Sequence, residues 1–398
     1  MSRIVVLSSI YLGKASTNGL CAQNIVEALT YMGHDVHVIC YPDPEVTNES
    51  NIHSICYDQL PHKGLFRRLC ERLKKVLFLA GSSPKSFLDY VKVNQYFLKL
   101  KDIESRNKID AVVAMFFPLE TVEALSLFKK SNKNIKSIIF ELDSIFDGIA
   151  QGSPFYNLYD RSYKKWLSTV YNTVDDVIVM RSHMDSWEKN FAHSFHSKLH
   201  ESDIPVLLPT PSITVKRKDV SFLYAGLLDR KYRSPKYLLS VLSELSKRNN
   251  FTFTFYSKGD CENMIATVSK ENRNIRQMGY VKKEELEKAF NDAMFLINIG
   301  NSISNSVPSK LISYISYKKP IIHFSSQEDD ICNFYLKEYP LSLIIRQENS
   351  IEESCSQIIS FIEKFNNSDY NDLDIEEIFK MNTPKFSASL INSILNNN

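Results

Sequence analysis

The chain has 398 residues, 43% of them hydrophobic and 24% charged, with a net charge of +2. That length is too great for one ordinary hydrophobic core and suits two soluble globular domains, and the near-neutral charge gives no case for bulk nucleic-acid binding. The seven cysteines, at positions 21, 40, 56, 70, 261, 332 and 355, form no CxxC pair or other zinc spacing and read as reduced thiols of a cytoplasmic protein.

Taken from its start, the chain predicts a β-branched strand over 3–10, a loop over 11–19, and a helix over 21–32 with Ile25, Val26, Leu29 and Met32 on one face. Gly33 stops that helix and a second strand follows over 36–40. Strands alternating with helices imply a parallel, doubly wound α/β sheet. The first apolar run, residues 4–7, is too short for export or membrane spanning. The loop after the first strand does not match GxGxxG, so it gives no nicotinamide signal; its Gly13 and Gly19 are site residues or simple turn formers.

Residues 65–80 place Phe66, Leu69, Leu73, Val76, Leu77 and Ala80 at helical spacing, beside Arg67, Arg68, Arg72, Lys74 and Lys75. Such a basic amphipathic helix lies on an anionic membrane surface or packs on its own domain with a solvated basic face. A strand over 109–116, a helix over 120–128 and a strand over 135–140 then lead into Glu141-Leu142-Asp143-Ser144-Ile145-Phe146-Asp147-Gly148. Carboxylates at the carboxyl end of a strand suit a base that accepts a proton from a hydroxyl. Asp143 is the first choice, with Glu141 and Asp147 beside it; the plainer alternative is that Asp143 or Asp147 caps the next turn. A long helix over 155–174, a strand over 175–180 and a turn to His183 follow, then a short strand over 204–211 and the charged linker Lys216-Arg217-Lys218-Asp219. His193, His196 and His200 fall on one face of a helix, where the lack of an acidic or cysteine partner nearby favours a solvated face over a metal site.

The linker divides the chain into residues 1–215 and 216–380, with 381–398 as a final helix returning to the first domain. The second part restarts the pattern with a strand over 220–226. The loop Gly226-Leu227-Leu228-Asp229-Arg230-Lys231-Tyr232-Arg233-Ser234-Pro235 comes next, then a helix over 236–246. Basic residues between a strand's end and a helix's start favour an anion; the alternative is a solvated basic turn. A strand over 251–256, a strand over 275–281 carrying Gly279-Tyr280-Val281, a helix over 282–292 and a buried strand over 293–299 follow. Next comes Asn305-Ser306-Val307-Pro308-Ser309-Lys310-Leu311-Ile312-Ser313-Tyr314, running on to Lys319-Pro320-Ile321-Ile322. Pro308 suits a first helical turn capped by Asn305 or Ser306, and Lys310 adds a positive charge one turn in, at the carboxyl end of a strand, where open α/β folds bind ligands. Helices over 331–336, 351–365 and 384–395 complete the reading.

The segment from Val307 to Tyr314, followed by Lys318-Lys319-Pro320-Ile321-Ile322, resembles the sugar-nucleotide signature of GT-B glycosyltransferases, particularly the retaining enzymes of family 4 (group 1). The resemblance implies two Rossmann-like doubly wound domains facing a cleft, the first on the acceptor side and the second holding a nucleotide sugar. It implies donor contacts from Gly13 and Gly19, and from Gly226, Arg230 and Arg233, with Lys231 beside them. Tyr280 and Val281 would meet the base through their backbone, and Val307, Pro308, Ser309, Lys310 and Ser313 would hold the rest of the donor. Glu141 and Asp147 stay on the acceptor side. The family usually carries two glutamates where this chain has Asn305 and Ser313, so the implied catalytic set is Asp143, Asn305 and Lys310, and the implied mechanism is a same-face displacement guided by the leaving phosphate.

The implied activity is transfer of a sugar from a nucleotide-diphosphate donor to a glycan or lipid-linked acceptor, in bacterial surface polysaccharide synthesis. No cofactor or metal is expected: there is no DxD-type motif, and Asp329-Asp330 are adjacent rather than spaced. The expected location is the cytoplasm, peripheral on the inner face of the plasma membrane through residues 65–80. Two alternatives stand beside this reading: a catalytically degenerate subunit that binds nucleotide or supports an active partner, and a sugar-nucleotide epimerase of the same architecture.

Overall fold

The computed structural model describes residues 1–11, 17–42, 50–55, 88–142, 156–191, 194–208, 219–302, 309–365 and 372–397. The chain forms two compact units, residues 1–206 with 381–398, and residues 207–380. The expected boundary near residue 215 falls outside the described residues.

The first unit holds seven strands: β1 (Arg3–Leu7), β2 (Asp35–Cys40), β3 (Ile52–Ser54), β4 (Ala111–Met115), β5 (Lys136–Phe140), β6 (Asp176–Met180) and β7 (Leu199–Ser202). They form one parallel sheet in the order β3-β2-β1-β4-β5-β6-β7. The second unit holds β8 (Ser221–Leu228), β9 (Thr252–Gly259), β10 (Ile275–Gln277), β11 (Phe295–Ile299), β12 (Ile321–Ser325) and β13 (Ser342–Arg346), again all parallel, in the order β10-β9-β8-β11-β12-β13. Each order reverses once, between β1 and β4 and between β8 and β11, which is the doubly wound pattern.

Composition explains the layers. β4, β6, β11 and β12 are buried at every position and read as continuous apolar runs, as strands covered on both faces must. Edge strand β13 is half-buried and β3 has only three residues. The helix Thr17–Tyr31 buries Cys21, Ala22, Ile25, Val26 and Leu29, and Gly33, at φ 87°, takes the left-handed turn that ends it. The five described cysteines are buried.

Several elements differ from the sequence expectation. The strand expected over 204–211 is absent where described; β7 lies just before it, pairing with β6 through Val177↔Leu199 to Met180↔Ser202. Pro205 offers no N–H to a ladder, and the carbonyls of Ile204 and Pro205 instead accept from the side chains of Asn382 and Asn24. The three histidines do not share a helix face. His196 sits in a short 3-10 turn and His200 on β7, where its Nε2 lies 2.7 Å from Asp176 Oδ1 of β6; His193 lies outside the described residues. The strand expected over 275–281 stops at Gln277. The helix Tyr90–Arg106, the helix Glu262–Glu271 and strands β3 and β13 are additions that the sequence reading did not include.

The final helix, Pro384–Asn396, opens with Thr383 accepting from Phe386 N and Pro384 in the first turn. It belongs to the first unit and packs against Thr17–Tyr31. His34 Nε2 meets Asn392 Oδ1 at 3.1 Å and Ser202 Oγ meets Ser387 Oγ at 3.2 Å.

Candidate functional site

In the second unit the strand order reverses between β8 and β11, and the carboxyl ends of these strands set the site. β8 pairs with β9 along its whole length, but its register with β11 covers Phe222 and Leu223 alone. Beyond Leu223 the β11 side of β8 opens, and the side chain of Tyr314, from the helix Ser309–Ile315, takes the place of a strand. Its hydroxyl accepts from Ala225 N at 2.9 Å and donates to Ala225 O at 2.8 Å. Burial pushes the Tyr314 hydroxyl pKa up, so it stays a neutral phenol that can do both.

Lys310, four residues earlier on the same helix, brings its ammonium over Gly226. Nζ lies 3.5 Å from Ala225 O, and a Cβ on Gly226 would sit 2.9 Å from Nζ and 3.0 Å from Tyr224 Oη. A glycine is therefore what lets the ammonium lie against the strand. The residue as a whole stays open to solvent while its charged end is packed. Burial of that end, and then the like charge of Arg233, push the Lys310 pKa down to about 8.

Arg233 reaches the same place from the loop after β8. Asp229 and Arg233 exchange backbone hydrogen bonds of 3.2 and 2.9 Å, and the Asp229 carboxylate accepts from Lys231 N and Tyr232 N, so the loop is tied by its own aspartate. Arg233 Nε donates to Asn301 Oδ1 at 3.0 Å, in the turn after β11. The Tyr224 hydroxyl, which donates to Leu227 O at 3.1 Å, has its pKa lifted by burial to about 12, against the opposing pull of the nearby Arg233 charge. Among the described residues neither Lys310 nor Arg233 has a carboxylate partner. Two cations close enough to depress a pKa, with no anion between them, leave a net positive site that a phosphate or diphosphate neutralises.

Ser309 opens the described part of the helix, and Ser313 Oγ donates back to Ser309 O at 3.2 Å, leaving its lone pairs for any further partner. Arg230 and Lys231 are exposed; Arg230 N donates to Asp260 Oδ1, and Lys231 Nζ lies over the Tyr232 ring. Tyr280 is 74% exposed after Gly279, with Lys258 Nζ 4.0 Å from its ring centroid, and Val281 is half-buried. Gly19 lies inside the helix Thr17–Tyr31, where a Cβ would sit 2.9 Å from Ile10 O, so close packing accounts for it.

Glu141 is placed in the interior of the first unit at 1% exposure, where its carboxylate accepts from Tyr171 Oη at 2.5 Å and from Trp187 Nε1 at 2.9 Å. Burial pushes its pKa up to about 8, against both hydrogen bonds. That is the setting of a structural anchor, with both oxygens engaged away from solvent. Gly13, Asp143, Asp147, Asn305, Val307 and Pro308 lie outside the described residues.

Of the expected donor residues, the structure thus brings together Gly226, Arg233 and Lys310. The sequence reading missed Tyr224, Tyr314 and Asn301. Tyr314 ends the signature segment without a role assigned to it from sequence, and Asn301 meets Arg233 only because β8 and β11 are neighbours. Among the described residues one buried group has metal-ligating chemistry: donor atoms of His323, Asp330 and Cys332 lie within 4.8 Å of one another, and Asn298 is bonded to the first and third of these residues.

No protein-family model matches the chain, and no curated protein does. Solved structures do. The chain is similar to the apo form of the lipopolysaccharide outer core galactosyltransferase WaaB, with TM-score 0.63, 9% identity and 99% of each chain covered. It is similar to MurG of Acinetobacter baumannii, with TM-score 0.51, 12% identity and 99% of each chain covered. The UDP-GlcNAc 2-epimerase of Methanocaldococcus jannaschii aligns with TM-score 0.58, 10% identity and 99% of each chain. The chain has the GT-B fold, two Rossmann-like units in succession. At these identities the likeness is one of fold.

Proposed function

We propose that the chain is a glycosyltransferase that moves a sugar from a nucleotide-diphosphate donor to a glycan or lipid-linked acceptor. The observation that carries this reading is the pair Arg233 and Lys310, facing the strand end at Ala225 and Gly226 at the switch point of the second sheet, without a carboxylate partner among the described residues. A diphosphate fits two such cations, and the leaving diphosphate gains negative charge as the bond to the sugar breaks. Preorganised cations stabilise that charge most in the transition state.

In the proposed reaction the bond from the anomeric carbon to the donor phosphate breaks, with its electron pair leaving on the phosphate. A bond from the acceptor oxygen forms, and the acceptor proton passes to a base, for which Asp143 is the proposed residue. Arg233 and Lys310 do the work that a metal does in metal-dependent transferases, so the reading needs no metal. Retention of configuration, by same-face displacement with Asn305 near the sugar, follows from the family resemblance. Ser313 offers a weaker hydrogen bond to ribose than a glutamate would. Tyr280, exposed beside Lys258, is the proposed platform for the base. Residues 65–80 are the proposed contact with a lipid surface, and polysaccharide assembly the proposed setting.

An epimerase reading is favoured by the likeness to the UDP-GlcNAc 2-epimerase structure. The two part cleanly on incubation with a sugar nucleotide alone: an epimerase yields a new sugar nucleotide, whereas a transferase releases nucleoside diphosphate and needs an acceptor or water. The test begins with thermal shift against UDP, GDP, dTDP, ADP and CMP. One nucleoside diphosphate should raise the melting temperature of the wild type, and Lys310→Ala and Arg233→Ala should each abolish the shift and the turnover. Binding without turnover would move the degenerate-subunit reading to the front; no shift with any nucleotide would sink the donor site itself.

A further inference from the structure

Beneath the anion site lies a buried polar group that the proposed chemistry does not use. Asn298 and His323 are register partners on β11 and β12, and both are almost wholly buried, as are Asp330 and Cys332. Asn298 Nδ2 donates to His323 Nδ1 at 2.9 Å, which fixes the tautomer with its proton on Nε2, and that proton is donated to Asp330 Oδ2 at 3.0 Å. Asp330 Oδ2 also accepts from Ser325 Oγ at 3.3 Å, and Asp330 Oδ1 accepts from Cys332 N at 3.0 Å. Burial raises the Asp330 pKa, but the bonds from His323 and Cys332 outweigh it and hold the carboxyl below its usual range. Both imidazole nitrogens and both carboxylate oxygens are thus engaged within the group, a pattern suited to fixing geometry rather than to open metal ligation.

What this group fixes is the turn that holds Arg233. Asp330 packs directly on Gly300: a Cβ there would sit 1.8 Å from Asp330 Oδ2. Gly300 N donates to Phe324 O at 3.0 Å, so the turn after β11 is clamped to β12. The next residue, Asn301, has its carbonyl held by Ser326 Oγ at 3.4 Å and Gln327 Nε2 at 3.2 Å. Ser326 and Gln327 belong to the loop that Asp330 ties: Asp330 N donates to Gln327 O at 3.4 Å, and Ser325 Oγ donates to the same oxygen at 2.7 Å. Asn301 Oδ1 then takes the Nε proton of Arg233.

We infer that Asp330 and His323 are positioning residues of the anion site, acting through the Gly300–Asn301 turn to aim the Arg233 guanidinium. Neither needs to touch a ligand. The inference rests on the proposed anion site for its functional consequence, but its structural content, the coupling of Asp330 to Arg233, can be read without any ligand. A residue that merely stabilised the fold would lower the melting temperature and leave Arg233 where it is.

The test uses the full chain as wild type, Asp330→Asn, His323→Gln, Asn301→Ala and the double variant Asp330→Asn with Asn301→Ala. The first readout needs no ligand: the side-chain Nε–Hε signal of Arg233, assigned by its loss in Arg233→Lys, in arginine-labelled protein. In the wild type the hydrogen bond to Asn301 should protect it from solvent exchange. Protection should fall in Asn301→Ala and in Asp330→Asn, with His323→Gln as a second variant should Asp330→Asn fail to fold. The second readout is the dissociation constant for inorganic pyrophosphate. Asp330→Asn should weaken it about tenfold, the scale of one hydrogen bond to a charged group, and the double variant should be no weaker than Asn301→Ala alone. Unchanged Arg233 protection in a folded Asp330→Asn protein, or fully additive losses of affinity, would overturn the inference. Altered protection with no pyrophosphate binding by the wild type would support the coupling and sink the anion site instead.

Discussion

Lys310 combines a packed ammonium with a neighbouring guanidinium, and its pKa near 8 has a direct consequence for binding. An anion between the two cations raises that pKa, so at pH 8 binding draws a proton from solution, whereas at pH 6.5 the amine is already charged and binding draws none. Titration calorimetry of a nucleoside diphosphate in two buffers of different ionisation enthalpy should show proton uptake at pH 8 that vanishes at pH 6.5. Uptake unchanged across that range would place the depressed amine elsewhere. Glu141 titrates in the opposite sense. Its folded pKa of about 8 stands above the ordinary 4.5, so the folded state holds a proton that the unfolded chain releases between those values. The stability tied to that proton is fully present below pH 4.5 and is lost as pH rises through 8. Urea unfolding of Glu141→Gln should therefore lack the decline that the wild type shows from pH 5 to pH 8, a difference on the order of a few kcal/mol. Glutamine suits the position because its oxygen can accept from Trp187 while its amide donates to the Tyr171 hydroxyl, which can also accept.

The element that matters most is the short helix Ser309–Ile315, since it carries both Lys310 and Tyr314 to the open edge of β8. Tyr314 substitutes for a strand at Ala225, and removing its hydroxyl strands the buried Ala225 N–H and leaves Ala225 O with only the 3.5 Å contact from Lys310 Nζ. Tyr314→Phe should lower stability by about 1–3 kcal/mol by urea unfolding and also weaken nucleotide binding, because the helix that holds Lys310 loses its tie to the sheet. Intact affinity at reduced stability would separate the two roles. This helix was legible from sequence in outline, through its apolar spacing and Lys310. The partner of Tyr314 was not, because a hydroxyl bonding to a strand eighty-nine positions away leaves no local pattern. The histidine expectation failed for the same kind of reason: the acidic partner of His200 is Asp176, supplied by the neighbouring strand rather than by nearby sequence.

At the scale of the molecule, the chain returns its last helix to the unit it started from. Ser387, Ala388, Ile391 and Ile394 are buried there, and Asn382 bonds the Ile204 carbonyl. Both tryptophans, Trp166 and Trp187, lie in that same unit, so their fluorescence reports on its unfolding. Truncation after Lys380 should lower the tryptophan-detected melting midpoint by several degrees or more, since a buried helix face is lost. Nucleoside diphosphate binding should persist at temperatures where the shortened protein is folded, because Arg233 and Lys310 belong to the other unit.

The amino-acid sequence by itself determined the alternation of strands and helices, the apolar runs of the central strands and the basic residues at the strand ends. Those features depend on side-chain period and on turn residues a few positions apart, and such local physics is written in order along the chain. Only the tertiary structure decided which strands are neighbours, and with that which of the basic residues meet. Arg230, Lys231 and Arg233 share one loop, and the family pattern singles out Arg233 beside Ser234-Pro235, but its partner Asn301 is set by the fold, because β8 and β11 lie side by side and Asp330 fills the space beneath the turn. Likewise Glu141 stood among three carboxylates as a candidate for chemistry, and burial against Tyr171 and Trp187 made it an anchor. Burial and pairing across a sheet are properties of contacts between distant residues.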